Sequence, residues 1–215
     1  MDKLPVNWFD FTILGLLGFG LFRGRRNGMT KEVIPTIEWI CVVVAGAFTY
    51  PLGAQLLSST CGLSQTWSAV LSYVIVAAGI VFIFSYIKKA LAPRLEGSNI
   101  FGGSEYYLGM PSGMIRYGCI AFFFLALINA RVYTPAEIAA NKAYNEKWYG
   151  GGMYSGNYVP DLHSVQEAIF KNSFTGPYIK DYAAIALIQT GPDDNTTKTA
   201  KAAPKKAAPV IHIGN

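Results

Sequence analysis

The chain has 215 residues, 52% of them hydrophobic and 14% charged, with a net charge of +5 and a mean hydropathy of +0.29. A soluble domain carries about 25% charged residues, so this composition excludes an ordinary water-exposed globule and points to an integral membrane protein. The basic residues are scattered among short loops and a C-terminal tail, with no RNP, zinc or helix-turn-helix signature, which argues against nucleic acid as a partner.

The first apolar block covers residues 6–22, within the stretch NWFDFTILGLLGFGLFRGRR at 7–26. A bilayer core needs about 20 helical residues, so the block is marginal in length. It is not a cleaved signal peptide, because its positive charge follows the run and no small-residue cleavage site appears. It is therefore expected to stay as the first span, with Asp10 at one end and Arg23-Gly24-Arg25-Arg26 at the other. Gly15, Gly18 and Gly20 would give it a packing face. The second block, 33–57, contains Glu38, and Pro51 is expected to kink it or end it early.

The third block is 67–87 and the fourth 108–132. The fourth opens with Gly109-Met110-Pro111-Ser112-Gly113, a GxxxG spacing that lets helix backbones approach closely, within one chain or in a homo-oligomer. Pro111 is expected in the first turn, where its missing N–H costs little. Trp8, Trp39, Tyr50, Trp67, Tyr86, Tyr106 and Tyr107 lie near the expected span ends, as an aromatic belt does.

Loop charges give the orientation. The first loop holds Arg23, Arg25, Arg26 and Lys31, the second (58–65) holds no Lys or Arg, and the third holds Lys88, Lys89 and Arg94. Lys and Arg in short loops mark the cytoplasmic side, so both termini are expected outside, in a bacterium the periplasm. A charge at the centre of a span costs about 2.5–3.5 kcal/mol on insertion scales. Asp10 is expected roughly 6 Å deep, Glu38 roughly 7–8 Å and Arg116 roughly 12 Å, with Arg131 at the outer end. Matching depths predicts a Glu38–Arg116 pair on the inner half and an Asp10–Arg131 pair near the outer surface. The alternative is snorkelling to the interface, the stronger reading for Asp10 and Arg131.

Beyond residue 132 the chain turns polar. Thr134-Pro135-Ala136-Glu137 reads as a helix start, with a capping Thr, Pro at the first position and Glu three residues after the cap. Residues 148–160 read as a Gly/Tyr-rich loop, and Asp161 as the cap of a helix to about Lys171. Residues 174–177 should break that helix. Residues 178–189 can form another, too short to span, packed on the tail or at the membrane surface. The Lys/Ala/Pro-rich residues 191–215 are expected to be disordered. The chain thus divides into an all-α transmembrane domain of four helices (1–132), a partly helical extramembrane region (133–190) and a tail (191–215).

Cys41, Cys61 and Cys119 are scattered, and His163 lies far from His212, so neither a disulfide framework nor a metal site is expected. No G-x-S-x-G, HExxH or P-loop is present. The expectation is a protein that is not an enzyme and holds no cofactor.

Two stretches resemble the colicin V production (CvpA) family of bacterial inner-membrane proteins. In the first, an Asp precedes an apolar, glycine-bearing run closing in Arg-Gly: Asp10, then Phe22-Arg23-Gly24. In the second, the family tends to show an acidic-basic pair followed by GxxxGxxRG; here Gly109, Gly113 and Arg116 match. Glu105 stands where Asp is usual, Tyr106 replaces the basic residue and Tyr117 replaces the last glycine. The resemblance covers about residues 6–132. It implies a multispanning inner-membrane protein that supports toxin production, secretion or envelope homeostasis through the bilayer and other membrane or envelope proteins. The alternative is a small channel or transporter subunit whose polar path is lined by Asp10, Glu38 and Arg116.

Overall fold

The structure is a computed structural model, and it describes residues 6–95, 102–134, 137–139 and 162–188. The described residues are helical throughout their regular structure: α1 (Trp8–Asn27), α2 (Met29–Cys61), α3 (Gln65–Leu95), α4 (Glu105–Asn129), α5 (Leu162–Phe170) and α6 (Thr175–Tyr182). Single 3-10 turns precede α4 and follow α6, at Gly102–Ser104 and Ala184–Ala186.

The helices run further into the basic segments than the hydropathy blocks suggest. Asn7 caps α1 in a reciprocal box with Asp10, and α1 continues through Arg23, Arg25 and Arg26 to Asn27. One residue, Gly28 at φ 76°, turns the chain into α2. That left-handed backbone favours glycine, and it lets α2 start at Met29 instead of residue 33. The expected first loop is therefore two helix ends joined by a glycine. Pro51 does not end α2, which passes both Pro35 and Pro51 and stops at the left-handed Gly62. Pro111 falls in the second turn of α4, because that helix already begins at Glu105.

By length and apolar composition, α2, α3 and α4 can each cross a membrane. The short, charged α1 is not among them, so the fourth expected span rests on its packing alone. It is antiparallel to α4 and pairs with it from Gly28 against Glu105 to Gly20 against Gly113. The principal contacts join α1 to α4, α4 to α2, and α2 to α3, giving the lateral order α1–α4–α2–α3. The basic residues of α1, Lys31 and the Lys88–Lys89 pair all lie at one end of this layer, the inner end by the positive-inside rule.

The expected capping of residue 134 forms: Glu137 N donates to Thr134 Oγ1 at 3.3 Å, and Glu137 Oε2 accepts from Thr134 N at 2.9 Å. The rest of that helix, the 148–160 loop, Asp161 and the 191–215 tail lie outside the described residues. Two expectations for the C-terminal region are corrected. Thr175 opens α6, with Gly176 and Pro177 in its first turn, where proline is tolerated. Residues 178–189 form no single helix, since α6 stops at Tyr182 and Leu187 is already extended.

Candidate functional site

The inner half of the layer contains a polar seam organised by α2. Glu32 and Thr36 are four residues apart and face α4, whereas Glu38, six residues from Glu32, faces α3. All three are buried, Glu32 at 1% and Glu38 at 2% relative exposure. A buried carboxylate is costly unless it is paired, and each of these has a cation. Arg116 Nη1 donates to Glu32 Oε2 at 3.0 Å, and Asn27 Nδ2 donates to the other Glu32 oxygen. The Lys88 ammonium forms an ion pair with Glu38 Oε2, although without the alignment of a hydrogen bond. Between the pairs, Thr36 Oγ1 meets Ser112 Oγ at 2.8 Å.

Side-chain direction accounts for the choice of partners. Helical side chains tilt toward the helix N-terminus. On α4 that direction is inward, so Arg116 reaches down from its own depth to Glu32 near the start of α2. On α3 it is outward, so Lys88 reaches up from the inner end to Glu38. The pairing expected from depth is therefore wrong: Arg116 takes Glu32, and Glu38 takes Lys88. Arg116 Nε stays buried without a hydrogen-bond partner, and its guanidinium lies 5.6 Å from the Tyr117 ring centre.

The outer pair expected between Asp10 and Arg131 is also absent. Asp10 accepts from Asn7 N at 2.9 Å, Phe174 N at 3.0 Å, and Thr175 N and Oγ1 at 3.0 and 2.7 Å. Arg131 lies 3.8 Å from Glu137 and stacks 4.7 Å from the Tyr133 ring centre. Asp10 thus anchors the start of α6 at the opposite end of the molecule from the polar seam.

The glycines divide sharply. A Cβ on Gly24 would lie 2.1 Å from the Gly109 carbonyl oxygen, and one on Gly113 would lie 2.1 Å from that of Gly20. Gly20, Gly24, Gly109 and Gly113 therefore form one backbone-to-backbone contact between α1 and α4, and the GxxxG spacing is occupied within the chain. Gly28 closes the same row against the Glu105 side chain. Gly15 and Gly18 have open space around them instead. Arg23 is exposed on the outward side of α1.

Above the seam the layer is aromatic. Tyr73 is fully buried against Gly46, stacks on Phe123 at 5.5 Å, and Phe123 meets Trp39 edge-on at 5.9 Å. Sequence reasoning found Glu38, Arg116 and three of the zipper glycines but missed Glu32, Thr36, Ser112 and Lys88. The signal for Glu32 was its i, i+4 spacing to Thr36, hidden by reading 23–32 as a loop. Cys41, Cys61 and Cys119 are free, and among the described residues no group of three metal-ligating side chains occurs.

The sequence model of the colicin V production protein family matches residues 9–146 of the chain. No curated protein and no solved structure matches it. The match covers more than half of the chain, and the chain belongs to this family. With its apolar helices, it is a multi-pass membrane protein of the colicin V production type.

Proposed function

We propose that this member of the colicin V production family is a non-enzymatic protein of the bacterial inner membrane, with both termini in the periplasm. In this reading it supports toxin production, secretion or envelope homeostasis by contacting other membrane or envelope proteins. Family membership is the first support. The observation that carries the reading is that the chain's own charges and close-packing glycines already satisfy one another. Glu32 holds Arg116, Glu38 holds Lys88, and Gly24 holds Gly109. What it turns outward is apolar, including Phe11, Leu14 and Phe22 on α1 and Val74, Ile75 and Phe82 on α3. Such faces suit lipid and neighbouring helices rather than a reacting substrate. Co-purification in mild detergent after cross-linking in intact membranes tests it. Envelope or secretion proteins are expected in the eluate, and a chain that emerges alone overturns the reading.

A second reading, a small channel or transporter subunit, draws on the buried seam of Glu32, Glu38, Lys88 and Arg116. Intramembrane ionisable residues commonly mark ion or proton pathways. Asp10 has no part in this version, because it anchors α6 at the other end. Purified protein in liposomes would then pass ions at a rate altered by Glu38→Gln, and an ion-tight vesicle would dispose of it.

A further inference from the structure

The outer end of the layer is covered by residues 162–188 of the chain itself. Ile169, Phe170, Leu187 and Ile188 are buried there in one apolar cluster with Phe9 of α1, Ala54 of α2, and Ala126 and Ala130 of α4. Small alanines on the layer face large side chains on the segment, so the layer supplies a groove and the segment fills it. The polar fastenings have one character. Asn7 Nδ2 donates to the Ala168 carbonyl at 3.2 Å, Asn129 Nδ2 donates to the Ile188 carbonyl at 3.0 Å, and Asp10 accepts from the amides of Phe174 and Thr175, both at 3.0 Å. These four bonds run from side chains of the layer to main-chain groups of the segment. Main-chain bonds tolerate many sequences, while apolar pockets select side chains, a combination recurrent in peptide-binding grooves. The segment also has little order of its own to contribute. Its helices are 9 and 8 residues long, and isolated helices shorter than about 12–15 residues are marginal in water.

We propose that the outer end of α1, α2 and α4 is a docking groove for an apolar peptide segment, and that residues 162–188 are its resident, displaceable ligand. The occupant it fits in trans is a short amphipathic segment of a partner on the same side of the membrane. That segment presents paired large apolar residues to the alanine walls and main-chain groups to Asn7, Asp10 and Asn129. This deepens the reading that the protein acts through membrane or envelope partners and rests on it for the identity of the occupant.

The test uses the full chain in mild detergent and, as probe, a fluorescent synthetic peptide of residues 162–188. In the wild type the resident segment competes at an effective concentration of order mM, as tethered ligands do, so the peptide binds weakly. The double variant Ile169→Ala, Phe170→Ala loosens the resident and leaves the groove intact; its peptide affinity is expected to rise about tenfold or more. Adding Asp10→Ala removes charge-assisted acceptors from the groove and should lower that affinity again by about tenfold. A scrambled peptide should not bind. If the double variant stays monodisperse with an unchanged helical signal yet takes up no peptide, the groove is not a docking site. Binding that ignores Asp10→Ala, or that the scrambled peptide reproduces, rejects it equally. A chain that co-purifies with partners but fails this assay loses the groove and keeps the partner reading; a chain that binds the peptide but purifies alone does the opposite.

Discussion

Arg116 illustrates how much a single residue can reveal before its surroundings are known. Its depth in the fourth apolar block demanded a carboxylate, and a carboxylate is there, but on a residue that the sequence placed in a loop. Depth counted along a helix locates Cα, whereas an arginine delivers its charge several ångströms away, toward the helix N-terminus. Corrected for that reach, Glu32 becomes the partner and Glu38 is left to Lys88. Charge reversals distinguish the two assignments. Arg116→Glu alone would place a third buried carboxylate beside Glu32, and breaking a buried pair costs about 3–5 kcal/mol. Combining it with Glu32→Arg should recover much of the folded yield and thermal stability in detergent. Combining it with Glu38→Arg should recover none, because those residues do not meet and Lys88 would face a new cation. Rescue by the Glu38 combination instead would refute the observed pairing. Asp10 shows the limit from the other side: its partners lie more than 160 residues away at Phe174 and Thr175. No periodicity in the first span could have pointed to them.

At the scale of elements, the apolar blocks located the long helices well and their ends poorly. Hydropathy reports where charge begins, yet a helix is ended by backbone geometry, and Gly28 and Gly62 supply it at positive φ. This is why Arg23, Arg25 and Arg26 read as a loop while belonging to α1. It is also why Gly24 read as part of a charged cluster while lying in the α1–α4 contact. Small residues were visible as a class, but which of them faced a neighbour depended on register. Gly20 and Gly24 are four apart and face α4, whereas Gly15 and Gly18 fall on the open side. Alanine substitution separates the two sets. Gly24→Ala puts a methyl 2.1 Å from a backbone carbonyl that cannot rotate away, so α1 must shift. Overpacking of this kind costs about 1–3 kcal/mol, and the midpoint of thermal unfolding in detergent should fall accordingly. Gly15→Ala meets nothing within 4 Å and replaces the weaker helix former, a gain of up to about 1 kcal/mol. A midpoint that fell equally for both would mean that α1 and α4 do not approach through this row.

For the whole molecule, the open question of the sequence was whether α1 crosses the membrane, and the packing supplies the argument that hydropathy lacks. Lying antiparallel along α4, α1 brings Asp10 to the end where α4 finishes and Arg23–Arg26 to the end where it begins. At 1.5 Å per residue its 20 residues cover about 30 Å, the thickness of the hydrocarbon core. If α4 spans, α1 spans beside it, and its charged ends lie at opposite interfaces. The native cysteines allow a direct check. Cys61 is exposed at the outer end of α2, whereas Cys41 and Cys119 are partly buried within helices. With the latter two changed to serine, a membrane-impermeant maleimide applied to intact spheroplasts should label Cys61 without permeabilisation. In a chain where Cys61 is also serine, Val6→Cys should label from that same side, because Val6 is exposed just before the outer end of α1. Arg26→Cys should label only after the membrane is opened. Labelling of both α1 positions from one side would make α1 re-entrant. Labelling of Cys61 only after permeabilisation would invert the molecule and move the groove over residues 162–188 to the cytoplasmic face.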